Sequence, residues 1–303
     1  MEYRRTIERT FEAGDAPRLR IANRSGRLAV HGRDRSDIAF TATLRVDAGS
    51  EGEANELFDA VDLPISERGG EVEIGPPTSG SDGGGGFRSW FNWTRRVRID
   101  MLAEVPRDCR VDARNRAGAI AVEGIGAAVT VEGRAGGVSL RDIEGALSAS
   151  TRAGGIQLES IRGPVQVATH AGSIEAERVT GDLSLETHAG SVRVRIVDGD
   201  VDVTTRAGGI TLEDVSGAVR VRGQHGGVKY RGRVTDAVEI SVATGGIEFG
   251  VPLGSSFFLD AESGRGSVVS ELEVDVTREP AADAPTVRLR TEVGSIRLVS
   301  AYD

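Results

Sequence analysis

The chain has 303 residues, 39% of them hydrophobic, so it is long enough to bury a substantial core in one large domain or two ordinary ones. It carries 37 basic and 46 acidic residues, for a net charge of -9, which argues against a general attraction to nucleic acid or to an anionic membrane. Its single cysteine excludes an internal disulfide framework and a multi-cysteine zinc site.

Residues 1–100 are predicted to form strands with one helix and one loop inserted. Residues 1–21 contain no apolar stretch of the length that a signal peptide or a membrane span needs, which predicts a cytoplasmic protein, with peripheral association with the cell envelope as a further option. Residues 50–62 are expected to form a helix that covers one end of the fold, because Ser50 is a candidate N-cap and Glu53 follows three residues later.

A glycine-rich loop is predicted at residues 75–96. It contains the aromatic group Phe87, Trp90, Phe91 and Trp93, with arginines beside it. If exposed, this group suits a membrane interface or a protein partner, since aromatic residues beside arginines are typical of binding hot spots. The alternative is that the rings fold back and seal a side or end of the protein.

A motif of Ala, then Gly, then Gly, Ser or Ala, and then Ile or Val recurs every 18 residues within residues 101–250, with His225 in place of the Ala in the last copy. Seven successive copies are marked by Gly118, Gly136, Gly154, Gly172, Gly190, Gly208 and Gly226. Apolar residues alternate with polar ones in each copy, which indicates strands. Equivalent residues match copy on copy, which favours two short strands per copy coiled into one rung and rungs stacked in parallel.

The repeat therefore predicts an all-β fold, a parallel β-helix or solenoid with 18-residue rungs, over a single domain of residues 1–303. Residues 251–303 are expected to form irregular rungs, interrupted by a surface segment at residues 278–285. The glycines are expected at sharp corners, where positive φ favours them. They are not predicted to hold a nucleotide, because no helical pattern follows any of them.

Several short motifs resemble those of a known family. They are the small-Gly-Gly-Ile/Val strand openings, the Asn-Arg-Ser-Gly start at residues 23–26, the Val105–Pro106 step before the repeats, and the closing sequence EVGSIRLVS. Together they resemble the putative-adhesin family of bacterial and archaeal β-strand-repeat proteins, whose function is unknown. The resemblance implies a right-handed β-helix and an association with the cell envelope, and it carries over no catalytic residue.

A basic stripe is predicted immediately before the Ala-Gly corners of successive rungs. Its members are Arg116, Arg134, Arg152, His170, His188 and Arg206, and Gln224 continues the row. Facing solvent, the stripe could engage a regularly spaced polyanion such as a sulfated or uronic polysaccharide or lipid phosphates. The alternative is that each residue covers its neighbour and pairs with nearby carboxylates. His170 and His188 lie one rung apart, but the row offers no third ligand, so no metal site is predicted.

An enzyme would need a catalytic pair of side chains, and the candidates are few. Asp182 and Asp200 lie one rung apart, but their row continues as Pro164 and Ala218. Another outward row is predicted to form cross-strand ion pairs instead of a catalytic cluster. Its members are Glu123, Arg141, Glu159, Glu177, Arg195, Glu213 and Arg231.

The sequence therefore predicts a non-catalytic, adhesin-like scaffold without a cofactor that presents a rigid surface to a protein, a polysaccharide or a membrane, and not to nucleic acid. One alternative is a self-assembling structural rod similar to bactofilin, which would be a homo-oligomer. Another is a β-helix enzyme that acts on polysaccharide.

Overall fold

The computed structural model describes residues 1–79, 97–271 and 284–301. The chain divides into two compact units, Met1–Thr151 and Arg152–Asp303. In both units nearly all of the described secondary structure is β-strand, and most neighbouring strands run parallel. The predicted all-β fold with parallel stacking is confirmed at this level.

Unit 1 contains one short helix, α1 (Glu51–Asp59), within its described residues. Its strands are β1 (Glu2–Glu12), β2 (Arg18–Asn23), β3 (Leu28–Arg33), β4 (Asp37–Asp47), β5 (Val61–Asp62), β6 (Ile65–Arg68), β7 (Glu71–Ile74), β8 (Thr78–Ser79), β9 (Val97–Pro106), β10 (Arg110–Ala117), β11 (Ile120–Ile125), β12 (Val129–Ala135), β13 (Val138–Ile143) and β14 (Leu147–Ala153). One sheet has the order β1-β4-β9-β3-β11-β13, and the other has the order β14-β12-β10-β2-β7-β6.

The strands nearest the start of unit 1 change direction. β4 is antiparallel to both β1 and β9, and β6 is antiparallel to β7, whereas β2 and β3 pair in parallel with β10 and β11. Helix α1 packs on this part of the fold, where the Arg5 guanidinium lies 4.8 Å from the centre of the Phe58 ring. The N-terminal strands thus end the parallel stack of unit 1 with antiparallel pairs.

The helix is shorter than the predicted range 50–62. Ser50 is its N-cap, because the Ser50 hydroxyl accepts a hydrogen bond of 3.2 Å from the Glu53 N–H. The helix ends at Asp59, since Val61 and Asp62 form β5 and pair with β8. The last residues predicted to be helical, Val61 and Asp62, therefore form a strand pair with β8 instead.

Unit 2 is built from parallel strands throughout its described sheets. They are β15 (Ile156–Arg162), β16 (Val165–Ala171), β17 (Ile174–Thr180), β18 (Leu183–Ala189), β19 (Val192–Asp198), β20 (Val201–Ala207), β21 (Ile210–Ser216), β22 (Val219–His225), β23 (Val228–Arg231), β24 (Val238–Thr244), β25 (Ile247–Val251), β26 (Phe258–Arg265), β27 (Val268–Ser270), β28 (Thr286–Val293) and β29 (Ile296–Ser300). The two sheets have the orders β15-β17-β19-β21-β23-β25-β29-β27 and β16-β18-β20-β22-β24-β28-β26.

The order of strands in space departs from the order in the chain after β25. β28 lies between β24 and β26, and β29 lies between β25 and β27. The C-terminal pair of strands is therefore inserted between two pairs that precede it in the chain.

The core of unit 2 consists of rows of identical or similar side chains. Ile156 pairs with Ile174, Ile174 with Val192, and Val192 with Ile210, and all four are buried. A second buried row is polar and lies one residue before the basic stripe; Thr169, for example, donates a hydrogen bond of 3.3 Å to the carbonyl of Gly154. Both rows bring equivalent repeat positions together on neighbouring strands.

Candidate functional site

The basic stripe of unit 1 occupies neighbouring strands of one sheet. β10 pairs with β12 so that Asn115 lies opposite Gly133, and the next residues, Arg116 and Arg134, are both exposed. On its other side β10 pairs with β2, with Asn23 opposite Asn115. Arg24 therefore extends the row ahead of Arg116. Arg24 is not among the predicted members of the stripe, although the Asn-Arg-Ser-Gly of residues 23–26 repeats the Asn-Arg-Ala-Gly of residues 115–118 and could have identified it.

The charge environment of Arg116 and Arg134 differs from that of the neighbouring Arg114. Arg114 forms ion pairs of 3.2 Å with Asp112 and 3.3 Å with Glu132. Neither Arg116 nor Arg134 has a carboxylate within 4.0 Å among the residues that the structure describes. Two exposed guanidinium groups without an ion pair thus lie side by side on adjacent strands.

A recess of about 380 Å³ lies beside these arginines, and we call it the Gly133 recess. Its lining residues are Asn23, Arg24, Pro76, Arg114, Asn115, Arg116, Glu132, Gly133 and Arg134. Asn115 is almost fully buried and donates a hydrogen bond of 2.8 Å from Nδ2 to the carbonyl of Gly26. Gly133 occupies the next place in the same inner row, where it contributes no side chain.

From Arg152 onward the stripe belongs to unit 2, and Arg152 lies near the end of β14. His170, His188 and Arg206 follow the paired residues Thr169, Thr187 and Thr205 on β16, β18 and β20. The rings of His170 and His188 lie 4.7 Å apart, centre to centre, at an angle of 36°. Arg152 and Arg206, like the two arginines of unit 1, have no ion pair with any described residue.

A second recess, of about 440 Å³, lies in unit 2 beside Gly223, and we call it the Gly223 recess. Gly223 pairs with Thr205 and so occupies the same inner row as Gly133 does in unit 1. The Gly223 recess is lined by two glutamates and two arginines, together with one histidine. These residues are Glu186, Glu239, Arg206, Arg222 and His188.

The side chains of the two aspartates considered for catalysis accept hydrogen bonds from backbone N–H groups. Asp182 Oδ1 accepts a hydrogen bond of 3.3 Å from the Asp200 N–H, and Asp200 Oδ1 accepts one of 2.9 Å from the Ala218 N–H. Among the described residues, no group of three His, Cys, Asp or Glu side chains is arranged to hold a metal ion.

The outward row predicted to form ion pairs does so at several places. Glu177 pairs in register with Arg195, and Arg195 forms an ion pair of 3.5 Å with Glu213. Arg178, at the neighbouring position, contacts both Glu159 and Glu177. This row is therefore neutralised by its own neighbours, unlike the arginines of the stripe.

The predicted aromatic group, Phe87, Trp90, Phe91 and Trp93, lies outside the residues that the structure describes. Within the described part of the chain, no helix is both long and apolar enough to span a membrane.

The chain matches no protein-family model and no curated protein. Among solved structures, it is similar to a putative adhesin from Parabacteroides distasonis, with 10% identity, 97% of each chain covered and a TM-score of 0.39. A putative cell adhesion protein from Clostridium sporogenes is 10% identical over 98% of this chain and 100% of its own, with a TM-score of 0.25. A putative lipid binding protein from Parabacteroides distasonis is 14% identical over 97% of this chain and 96% of its own, with a TM-score of 0.29. The solved structures similar to this chain thus include proteins named as putative adhesins, the family that the sequence motifs resemble.

Proposed function

We propose that the chain is a non-catalytic, adhesin-like scaffold that binds another macromolecule through its basic stripe, at the periphery of the cell envelope. The observation that carries this proposal is the state of Arg116, Arg134, Arg152 and Arg206. These guanidinium groups make no ion pair with the described residues, in a chain with a net charge of -9 and 46 acidic residues. Unpaired, exposed arginines recurring at equivalent places suit an anionic partner.

We also propose that the strands coil as a right-handed β-helix with 18-residue rungs in one domain of residues 1–303. Residues 1–100 would supply the N-terminal strands and the covering helix, residues 101–250 the regular rungs, and residues 251–303 the irregular ones. The partners Ile156 and Ile174, 18 residues apart, support this repeat. Such rungs would space the members of the stripe at roughly 4.8 Å, the distance between neighbouring strands.

The test is cosedimentation of the purified chain with cell-envelope fractions. A stripe variant replaces four arginines by glutamine, and a control variant with the same loss of charge replaces four arginines that have ion pairs. The stripe variant changes Arg116, Arg134, Arg152 and Arg206, and the control changes Arg193, Arg195, Arg220 and Arg222. We expect the stripe variant to lose binding and the control to keep it. Equal binding by both would contradict the proposal.

The aromatic group is tested in the same assay. Replacing residues 79–94 by a short Gly-Ser loop removes Phe87, Trp90, Phe91 and Trp93 while leaving the stripe intact. If these residues contribute to binding, the shortened chain stays folded and binds more weakly. If they seal the fold instead, it loses stability, which circular dichroism detects.

Self-association is a second candidate, favoured by the last pair of strands in unit 2. β26 and β27 are the outermost strands of the two described sheets of this unit, and the Val268 and Val269 side chains are 44% exposed. Ile296, which pairs with Val268, is buried. An exposed apolar strand at a sheet edge is a template for pairing with another chain. Sedimentation velocity over a range of concentrations should then show growth, which Val268→Lys abolishes; a concentration-independent monomer would exclude this candidate.

A further inference from the structure

We propose that the Gly133 recess binds the anionic group of an acidic polysaccharide. This inference rests on the proposed function and names the ligand class for one part of the stripe. It concerns unit 1 alone, where Arg24, Arg116 and Arg134 lie in one row on neighbouring strands.

The recess exists because Gly133 interrupts a row of larger side chains. Asn23, Asn115 and Thr151 are buried in the inner row of unit 1, and Gly133 lies between the last two along the chain. The backbone does not require glycine there, since Gly133 is not among the residues with positive φ. A Cβ at position 133 would lie 3.1 Å from Thr151 Oγ1, so even a small side chain would occupy this space.

The charge of the recess is strongly positive. Four of its lining side chains are arginines, Arg24, Arg114, Arg116 and Arg134, and Glu132 is its acidic member. Glu132 is already engaged by Arg114 at 3.3 Å, which leaves the guanidinium groups of Arg116 and Arg134 for a ligand. The planar guanidinium group binds carboxylate or sulfate through two parallel hydrogen bonds.

A sugar suits the recess better than a bare anion does. Asn115 lines it, and Asn115 Oδ1 is a buried acceptor that receives no hydrogen bond from the described residues. A hydroxyl group donates to such an acceptor, whereas a carboxylate or sulfate alone does not. A volume of about 380 Å³ is also within the range of sites for small ligands.

A membrane and a protein fit this surface less well. Among the described residues of unit 1, Met1 is the one large hydrophobic residue that is strongly exposed, so these residues offer little apolar surface to enter a lipid layer. The centre of a stable protein interface is usually depleted in charged residues and enriched in aromatic ones. The described lining of the Gly133 recess instead has five charged side chains and no aromatic one.

The test measures binding of the full chain to polygalacturonate, dextran sulfate, neutral dextran and vesicles of phosphatidylglycerol and phosphatidylcholine. Gly133→Thr fills the recess, and Gly223→Thr makes the same change in the less cationic Gly223 recess. Arg134→Gln removes one guanidinium group, and Arg220→Gln removes the same charge at a distance. Circular dichroism and thermal unfolding establish that each variant folds, and if Gly133→Thr does not fold, the arginine pair carries the test.

We expect the chain to bind one or both acidic polysaccharides and not dextran. Gly133→Thr and Arg134→Gln should each raise the Kd about tenfold or more, since a hydrogen bond to a charged group contributes that much. Gly223→Thr and Arg220→Gln should change it by less than about twofold. If the chain binds polygalacturonate but not dextran sulfate, the anionic group of the ligand is a carboxylate. If it binds dextran sulfate but not polygalacturonate, that group is a sulfate.

Equal effects of Gly133→Thr and Gly223→Thr, equal effects of the two arginine variants, or binding to the anionic vesicles alone would overturn the inference. Failure to bind either polysaccharide, with stripe-dependent binding to envelope fractions retained, would overturn it and leave the proposed function standing. Failure of both assays would overturn both.

Discussion

The corner glycines should be irreplaceable where the backbone of one repeat passes over that of the previous one, and Gly208→Ala tests this. Gly208 has a φ of +142°, and an added Cβ would lie 2.0 Å from the carbonyl oxygen of Gly190. A side chain at such a φ costs about 1–3 kcal/mol, and an overlap that only a backbone shift can relieve costs a similar amount. Alanine also lowers the conformational entropy of the unfolded chain, and this effect offsets less than about 1 kcal/mol of the destabilisation. We therefore expect Gly208→Ala to lower the free energy of unfolding by about 3 kcal/mol.

The adjacent Gly209 provides the control. It has no positive φ, and its added Cβ would lie 3.8 Å from the nearest atom, the carbonyl oxygen of Gly227, which is an ordinary contact. Gly209→Ala should therefore change the free energy of unfolding by less than about 1 kcal/mol. Urea unfolding followed by far-UV circular dichroism compares the two variants with the parent chain. Equal midpoints for Gly208→Ala and Gly209→Ala would refute the steric reasoning.

Three further predictions concern single side chains. Ile196 has a φ of +57° and is 49% exposed, so Ile196→Asn should raise the thermal midpoint through a gain of about 1 kcal/mol; an unchanged or lower midpoint would contradict this. Asp200→Ala should lower the free energy of unfolding in urea by about 1 kcal/mol, because it removes the acceptor for the Ala218 N–H. Asp200→Asn keeps an acceptor and should lower it by less. Burial raises the pKa of Cys109 to about 12, so the folded thiol should resist thiol reagents at pH 8 and react only on unfolding. Stability should not depend on this thiol below about pH 9 and should fall as the pH rises from there toward 12, because only the unfolded thiol ionises in that window.

Much of the regular fold could be predicted because its signal is repetitive. The 18-residue spacing and the alternation of apolar residues indicate parallel strands, and the pairing of Ile174 with Val192 follows from that repeat. The insertion of β28 and β29 between earlier strands could not be predicted, because pairing between strands far apart in the chain leaves no local pattern. Among the described residues, the five non-glycine residues with positive φ lack a local signal as well. They are Asp142, Ser160, Arg178, Ile196 and Asp214, at positions where glycine is the usual residue.

The candidate site was predictable in part. The sequence places Arg116 and Arg134 at equivalent repeat positions, but it does not show that Arg114 takes the nearby carboxylates and leaves these two without an ion pair. It also gives no reason to single out Gly133 among 41 glycines. Gly133 matters because the buried Asn115 and Thr151 lie in the same inner row, and this row is formed only when the strands pair side by side.

The most direct test of the binding surface is hydrogen–deuterium exchange of the chain with and without polygalacturonate. Binding in the Gly133 recess should slow exchange in peptides that cover β10 and β12, residues 110–117 and 129–135, and leave the Gly223 recess unchanged. Binding that slows exchange elsewhere and leaves both strands unaffected would contradict the account.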